Sequence, residues 1–260
     1  MERDWSSLIA ELQRSFDSGF LLIDKPVGEP SMRTVSQLRR ITGQKKIGFA
    51  GTLDPMASGL LVMGINKATK LLDWWHQWPK EYEAEITLGK VSTTYDGEGE
   101  ITTPACQHPL LNKEGKGPSA MRAHASRAWV VTAEAIQNAV RSFVGQIEQV
   151  PPMYSAKSVG GKRLYELARQ GQEVERKPST VTIHSIDILD YHYPIVKIKV
   201  RCSTGTYIRS LAHDLGQRLG VGAYLSALRR TAIGDYTVLQ AKKIDNVSLE
   251  NWLQHLLRIK

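Results

Sequence analysis

G-F-A-G-T-L-D-P-M-A-S-G-L-L, residues Gly48 to Leu61, is the stretch on which the reading of this chain turns. It holds three glycines, one carboxylate and one proline, and it runs into an apolar segment. Asp54 sits between Leu53 and Pro55, and proline biases the residue before it toward an extended or turn conformation. Gly48, Gly51 and Gly59 allow a sharp turn or a close approach of the backbone to another group. Two readings stand on these residues alone. One is a catalytic carboxylate on a stiff loop; the other is an Asx-type turn joining two elements.

Upstream of this stretch, Ser31 is placed to cap a helix whose Met32, Val35, Leu38 and Ile41 form one stripe and which Gly43 ends. Gly19 to Ile23 reads as a short buried strand, followed by the turn D-K-P-V-G. Trp5, Leu8, Ile9, Leu12 and Phe16 recur at helical spacing and predict an amphipathic N-terminal helix. Downstream, Gly59 to Ile65 is a buried strand and Asn66 to Trp78 a helix with Ala68, Leu71, Leu72 and Trp75 on one face. Glu81 to Gly89 alternates as a half-buried strand does, with Tyr82, Ala84, Ile86 and Leu88 on the apolar side. Thr132 starts a helix that Gly145 closes, P-P-M-Y-S-A-K is a stiff aromatic loop, and Gly161 to Gln170 reads as helical. Val181 to Leu189 and Ile195 to Cys202 are paired strands, the second with a basic face of Lys197, Lys199 and Arg201. Thr206 caps a helix from Tyr207 to Leu219. Ala223 to Arg229 and Ile233 to Val238 are two further strands, and Ser248 to Ile259 a final short helix. Strands and helices mixed without a regular βαβ rhythm point to an α+β fold.

A chain of 260 residues with 42% hydrophobic and 23% charged residues is in the range of a globular protein with a sizeable core. The formal charge of +8 favours a polyanionic partner, nucleic acid first. Two cysteines, Cys106 and Cys202, cannot build a disulfide framework or a four-ligand zinc site, which fits reduced thiols and the cytoplasm. The first residues lack the apolar stretch of a signal peptide, and no run approaches membrane-spanning length. No phosphate loop, Rossmann fingerprint, H-E-x-x-H or G-x-S-x-G motif occurs, so metal and serine-hydrolase chemistry have no support.

Taken together, L-L-I-D-K-P-V-G, G-F-A-G-T-L-D-P-M-A-S-G-L-L, K-E-Y-E-A, V-P-P-M-Y-S-A-K, G-K-R-L-Y-E-L-A-R-Q-G, R-C-S-T-G-T-Y-I-R-S-L-A-H-D-L-G and Y-L-S-A-L-R-R-T resemble the TruB family of tRNA pseudouridine synthases, in family order from about Gly19 to Tyr236. The resemblance implies a pseudouridine-synthase fold, a mixed and mainly antiparallel sheet flanked by helices and loops with a central active-site cleft. It implies isomerisation of uridine 55 in the tRNA T loop, with no cofactor and no metal, and a base flipped from its stack. Asp54 matches the catalytic aspartate, for which covalent attack on the nucleotide and proton removal at the sugar both stand open. Arg209 matches its ion-pair partner, which lowers the acid's pKa. Tyr82 matches the tyrosine that stacks on the uracil. Tyr207 and Leu228 are expected beside the base, and Lys25 with Pro26 to support the loop of Asp54. Residues 150–171 match an RNA-binding insertion, with Tyr154 near the base and Lys157, Lys162, Arg163 and Arg169 as candidate phosphate contacts.

The expected organisation is an N-terminal helical extension over 1–18, a catalytic domain over 19–240 with an insertion loop at 102–128, and a short helical tail over 241–260. Only 24 residues follow Tyr236, too few for the PUA domain of larger relatives. Phe49 departs from the family, many members of which carry a histidine there. Phe49 can stack or fill space but cannot donate a hydrogen bond. The expected partner is the tRNA T-arm stem-loop, with no membrane and no obligate protein partner, and the chain is expected to be a monomer. The alternatives are a non-catalytic RNA-binding or tRNA-folding protein and a guide-RNA-dependent relative.

Overall fold

The computed structural model describes residues 5–104, 121–123, 129–155, 157–159, 161–172 and 174–258; most of the 102–128 insertion, including Cys106, lies outside them. In chain order the elements are α1 Trp5–Gln13, β1 Gly19–Lys25, α2 Ser31–Thr42, β2 Ile47–Ala50, β3 Ala57–Ile65, a 3-10 helix Asn66–Gln77 and β4 Lys80–Leu88. There follow β5 Val91–Ser92, β6 Ile101–Thr102, β7 Met121–Ala123, β8 Trp129–Val131, α3 Ala133–Arg141, β9 Gly145–Gln149, β10 Ser158–Val159, β11 Lys162–Arg163 and α4 Leu164–Arg169. The chain ends with β12 Ser179–His192, β13 Ile195–Cys202, α5 Ile208–Leu219, β14 Ala223–Ile233, β15 Tyr236–Thr237 and 3-10 turns at Val238–Gln240, Ile244–Asn246 and Trp252–His255. This is the mixed, mainly antiparallel architecture expected from the sequence. Two compact units divide it, one formed by Met1–Tyr82 and Leu228–Lys260, the other by Glu83–Ala227. The unit boundaries fall within β4 and β14.

In the first unit β3 is the central strand. Its apolar residues Leu60, Leu61, Val62, Met63 and Ile65 are all buried, as a strand covered on both faces requires. β1 pairs with it antiparallel from Gly19 opposite Ile65 to Lys25 opposite Gly59. The remaining edge is shared. β2 runs antiparallel beside its far half, Ile47 opposite Ile65 to Ala50 opposite Val62. β14 runs parallel beside its first residues, Leu228 opposite Ala57 to Arg230 opposite Gly59. The loop carrying Asp54 is therefore the connection from β2 to β3, and β14 takes the edge that β2 leaves. Leu12 of α1, Phe20, Leu22, Leu60, Val62, Leu71, Trp75 and Ile233 form the core here. Edge-to-face contacts of Trp75 with Phe20 and Trp74 add to it.

In the second unit the strands run in the order β14, β4, β13, β12, β9. β12 pairs antiparallel with β13, the pairing expected of these two strands, and also with β9, a strand not expected from the sequence. Helix α3 packs on α5 and on β12 through Ile136, Ala139 and Val140, its buried stripe. Thr132 caps α3 by accepting from the Ala135 amide at 3.2 Å, as the sequence predicts.

Several local readings change. Ser31 does not cap α2; the N-cap is Pro30, and the Ser31 hydroxyl turns to the Asp54 loop. Thr206 does not cap α5; Tyr207 is the N-cap, and the Thr206 hydroxyl donates to the Ser203 carbonyl at 2.9 Å. Residues 66–77 wind as a 3-10 helix, and Lys80 Nζ donates to the carbonyls of Trp75, His76 and Trp78 at its end. Gly145 begins β9 rather than closing α3, which ends at Arg141. In the segment 161–170 only Leu164–Arg169 is helical, because Lys162 and Arg163 pair with Ser158 and Val159. Ala223 to Ile233 is one strand, turning at Gly234 into β15. The segment 241–260 holds two 3-10 turns instead of a helix. Its main chain is claimed by β1, where Lys242 bonds with Leu22 and Asp24 and Leu257 with Phe20 at 2.7–3.0 Å.

Candidate active site

In the first unit the candidate residues gather at the loop from Gly51 to Met56. No strand partner covers this loop, so its main-chain polar groups must be satisfied otherwise. One side chain answers for Leu53: the Ser31 hydroxyl accepts from the Leu53 amide at 3.0 Å and donates to the Leu53 carbonyl at 2.9 Å. Both residues are buried. Asp54, Pro55, Met56 and Ala57 make a turn closed by the Ala57 amide on the Asp54 carbonyl at 3.0 Å, with proline in its favoured second position. The Pro55 carbonyl accepts from the Gly28 amide at 2.8 Å and from Lys25 Nζ at 3.4 Å. Asp54 is thus held on both sides by main-chain bonds, with its carboxylate half-buried.

Lys25 is wholly buried, and its ammonium also donates to the carbonyls of Pro26 at 2.8 Å and Glu29 at 2.6 Å. Its bonds link the D-K-P-V-G turn to the Asp54 loop. Leu228 is buried opposite Ala57, three positions from Asp54 in the chain. Phe49 lies half-buried on β2, opposite Met63. Tyr82 lies half-buried on β4, at the end of this unit. On β14, Arg229 makes a two-pronged ion pair with Asp24 at 3.0 and 2.8 Å, a geometry suited to the planar guanidinium.

A separate cluster of candidate residues, in the second unit, is built around the start of α5. Arg209 is buried at 5% exposure, so its charge needs a partner. Nη1 meets Asp96 Oδ2 at 3.1 Å, and Nη2 donates to the Tyr154 carbonyl at 2.7 Å. Asp96 is itself buried at 1%, and its other oxygen accepts from the Glu98 amide at 3.0 Å. Gln149 repeats the Ser31 design: its buried amide accepts from the Tyr207 N–H at 3.0 Å and donates to the Tyr207 carbonyl at 3.2 Å. Ser210 donates to the Val150 carbonyl at 3.0 Å. The segment Gln149 to Tyr154 is therefore tied to the start of α5 at three points, which brings Tyr154, Tyr207 and Arg209 together.

Beside this pair, Tyr95 stacks on His213 at 4.0 Å between ring centroids. Tyr95 has φ +65°, a conformation few non-glycine residues adopt. Burial holds the His213 imidazole below its ordinary pKa and raises that of Asp214. The candidate phosphate contacts differ among themselves. Lys157 Nζ is engaged by the Ser179 hydroxyl at 2.6 Å, whereas Lys162, Arg163 and Arg169 are exposed, Arg169 over the Tyr165 ring.

Asp96, Gln149 and Ser31 are the residues that sequence reasoning missed or misassigned. The T-T-Y-D-G run carried a signal for Asp96, a carboxylate at a turn between short strands. Nothing local marks Gln149, whose partner is 58 residues away. Among the described residues no group of three His, Cys, Asp or Glu is arranged to hold a metal ion, and no helix is long and apolar enough to cross a membrane.

Comparison with known proteins gives consistent findings. A family model described as TruB family pseudouridylate synthase (N terminal domain) matches residues 39–117 and 113–208. A second, described as tRNA pseudouridylate synthase B C-terminal domain, matches residues 209–258. The chain is 41% identical over 256 residues to a tRNA pseudouridine synthase B of Dehalococcoides mccartyi, covering 93% of this chain and 78% of that protein. It is 42% identical over 262 residues to a tRNA pseudouridine synthase B of Protochlamydia amoebophila, covering 97% and 90%. A chain of a solved Cbf5–Nop10–Gar1 complex is similar with a TM-score of 0.64 and 26% identity over 94% of this chain, which spans 56% of that solved chain.

Proposed function

This chain belongs to the TruB family of pseudouridylate synthases, and we propose that it converts uridine 55 in the T loop of tRNA to pseudouridine. The observation that carries the activity is identity of 41 and 42% to named tRNA pseudouridine synthases over more than nine-tenths of the chain. In the reaction the N1–C1′ bond of the nucleotide breaks, the uracil rotates, and a C5–C1′ bond forms. C5 loses its proton and N1 gains one, so the product is an isomer and no redox step is needed.

Asp54 is the reacting carboxylate in this proposal. What supports it is the family motif together with a turn fixed by bonds to Leu53, Asp54 and Pro55, since an acid that must meet a reacting carbon works best on a preorganised backbone. Tyr82 is the ring that stacks on the displaced uracil. Arg209, with Asp96 behind it, is the buried cation of the reaction. Tyr207 and Leu228 line the base, and Phe49 fills space rather than donating a hydrogen bond. Tyr154, Lys157, Lys162, Arg163 and Arg169 meet the RNA. The substrate contact is with the T-arm stem-loop, by a monomer in the cytoplasm.

Incubation with unmodified tRNA, followed by mapping of pseudouridine, tests the reading. Product at position 55 from the wild type and none from Asp54→Asn is expected. Absence of product at that position, or full activity in Asp54→Asn, refutes it. Activity on an isolated T-arm stem-loop excludes a requirement for a guide RNA.

A further inference from the structure

Arg230 is 1% exposed, among the largest fully buried side chains of the chain, and the expected site does not include it. It lies on β14 opposite Gly59, where β2 gives way to β14 along β3. Its Nε donates to the Leu60 carbonyl at 2.7 Å and its Nη2 to the Gly51 carbonyl at 3.0 Å. One fork thus joins the strand that follows the Asp54 loop to the residue that opens the loop.

Two of the three glycines that bracket Asp54 in the sequence answer to this one residue. Gly59 has φ +102°, and a Cβ there would stand 2.3 Å from the Arg230 carbonyl oxygen and 2.8 Å from its nitrogen. Gly51 has φ +69°, and a Cβ there would stand 3.3 Å from Nη1. The motif and the arginine therefore fit as a unit. Burial of a guanidinium is costly, and a side chain kept only for its volume would be better served by methionine. A planar fork is what bridges two fixed carbonyls, and lysine cannot reproduce it.

We propose that Arg230 is a positioning residue for Asp54, fixing the entry of its loop as Lys25 and Gly28 fix its exit at Pro55. The inference rests on the reading of Asp54 as the reacting carboxylate. Loss of the fork lets the Gly51 end of the loop drift, and a misplacement of about 1 Å at a reacting group costs on the order of a hundredfold in rate. Arg230 is buried and offers no surface to RNA, so binding is expected to be unaffected.

The test is steady-state kinetics on tRNA with Arg230→Lys and Gly51→Ala, with folding checked by circular dichroism and with wild type and Asp54→Asn run beside them. Arg230→Lys keeps charge and stem; Gly51→Ala presses on Nη1 from the loop side and leaves the core residue in place. In whichever variant folds, kcat falls about tenfold or more while KM stays within about twofold, the pattern of a contribution made in the transition state. A smaller fall in kcat, or a loss carried by KM, overturns the inference. Inactive wild type or active Asp54→Asn would instead overturn the reading on which it rests.

Discussion

Ser31→Ala removes one hydroxyl and nothing else, yet it strips both main-chain partners from Leu53, the residue before Asp54. The bonds are 2.9 and 3.0 Å long and lie in a buried setting. A buried polar group left without a partner costs about 1–3 kcal/mol, so an N–H and a C=O together cost about 2–4 kcal/mol once local relaxation is allowed. That energy has two outlets. If the loop stays in place, global stability falls, and at about 2–4 °C per kcal/mol Tm drops by about 5–15 °C. If the loop opens so that Leu53 reaches water, stability is largely kept and the carboxylate is no longer held, so the loss appears in kcat. Thermal unfolding read by circular dichroism gives the first quantity. Release of tritium from tRNA labelled at uridine C5 gives the second, because C5 loses its hydrogen in the reaction. Ser36→Ala on the same helix is the control, since that exposed hydroxyl serves only the Met32 carbonyl. Ser31→Ala with Tm within about 2 °C and kcat within about twofold of the wild type would refute the reasoning.

Asp96→Asn takes the charge from a pair buried at 6 and 2% side-chain exposure, and is expected to destabilise the chain by about 3 kcal/mol in urea unfolding while lowering kcat more than KM. Unchanged urea midpoints would show that Asp96 is not a partner Arg209 needs. Gln149→Leu removes both bonds to the Tyr207 main chain and is expected to cost about 1–3 kcal/mol in the same assay, with weakened turnover; a neutral result contradicts the clamp. Burial depresses the His213 pKa, so below about pH 6.5 the unfolded chain takes up a proton that the folded one resists, and stability is lost as pH falls toward the folded pKa. Asp214 acts oppositely, costing stability above its raised pKa and returning it as pH falls toward the ordinary carboxylate range. His213→Asn is therefore expected to flatten the fall of Tm between about pH 7 and 5, and an equally steep fall rules this out. Binding of tRNA is expected to weaken log-linearly with salt as counterions are released, and a flat dependence denies the phosphate contacts.

The strands of this fold were legible because their side chains alternate or run apolar, as in Val196, Ile198 and Val200 against Lys197 and Lys199. The turn that carries Asp54 was legible because glycine and proline punctuate it. Caps were less legible. Ser31 and Thr206 stand where capping hydroxyls stand, but Ser31 bonds across the fold to Leu53 and Thr206 bonds back to the Ser203 carbonyl, and a one-dimensional pattern cannot rank such bonds against a cap. The 3-10 winding of 66–77 was hidden too, and Lys80, beyond its end, gathers carbonyls there in bonds that no pattern within 66–77 announces. Asp96 and Gln149 were hidden because their partners lie 113 and 58 residues away. Arg230 was in view within the Y-L-S-A-L-R-R-T motif but was given no role, and only the register of β14 puts it inside.

Ser31 and Gln149 point to a common solution. A loop that presents a functional side chain cannot also spend its backbone in a sheet ladder, because the ladder would cover the face that must meet substrate. Left to water, the same loop would sample many positions. A single buried side chain that both donates and accepts gives one loop residue the equivalent of two ladder bonds without adding a strand. Serine and glutamine are among the few residues able to do so. Leu53, next to Asp54, and Tyr207, two residues before Arg209, are both held in this manner. The clamp in each case holds a neighbour's main chain, so Asp54 and Arg209 are positioned through the backbone beside them. Phe49 is held differently, by ladder pairing on β2, so it is rigid through its backbone. Its ring is then a fixed apolar surface, which needs position and no hydrogen bond.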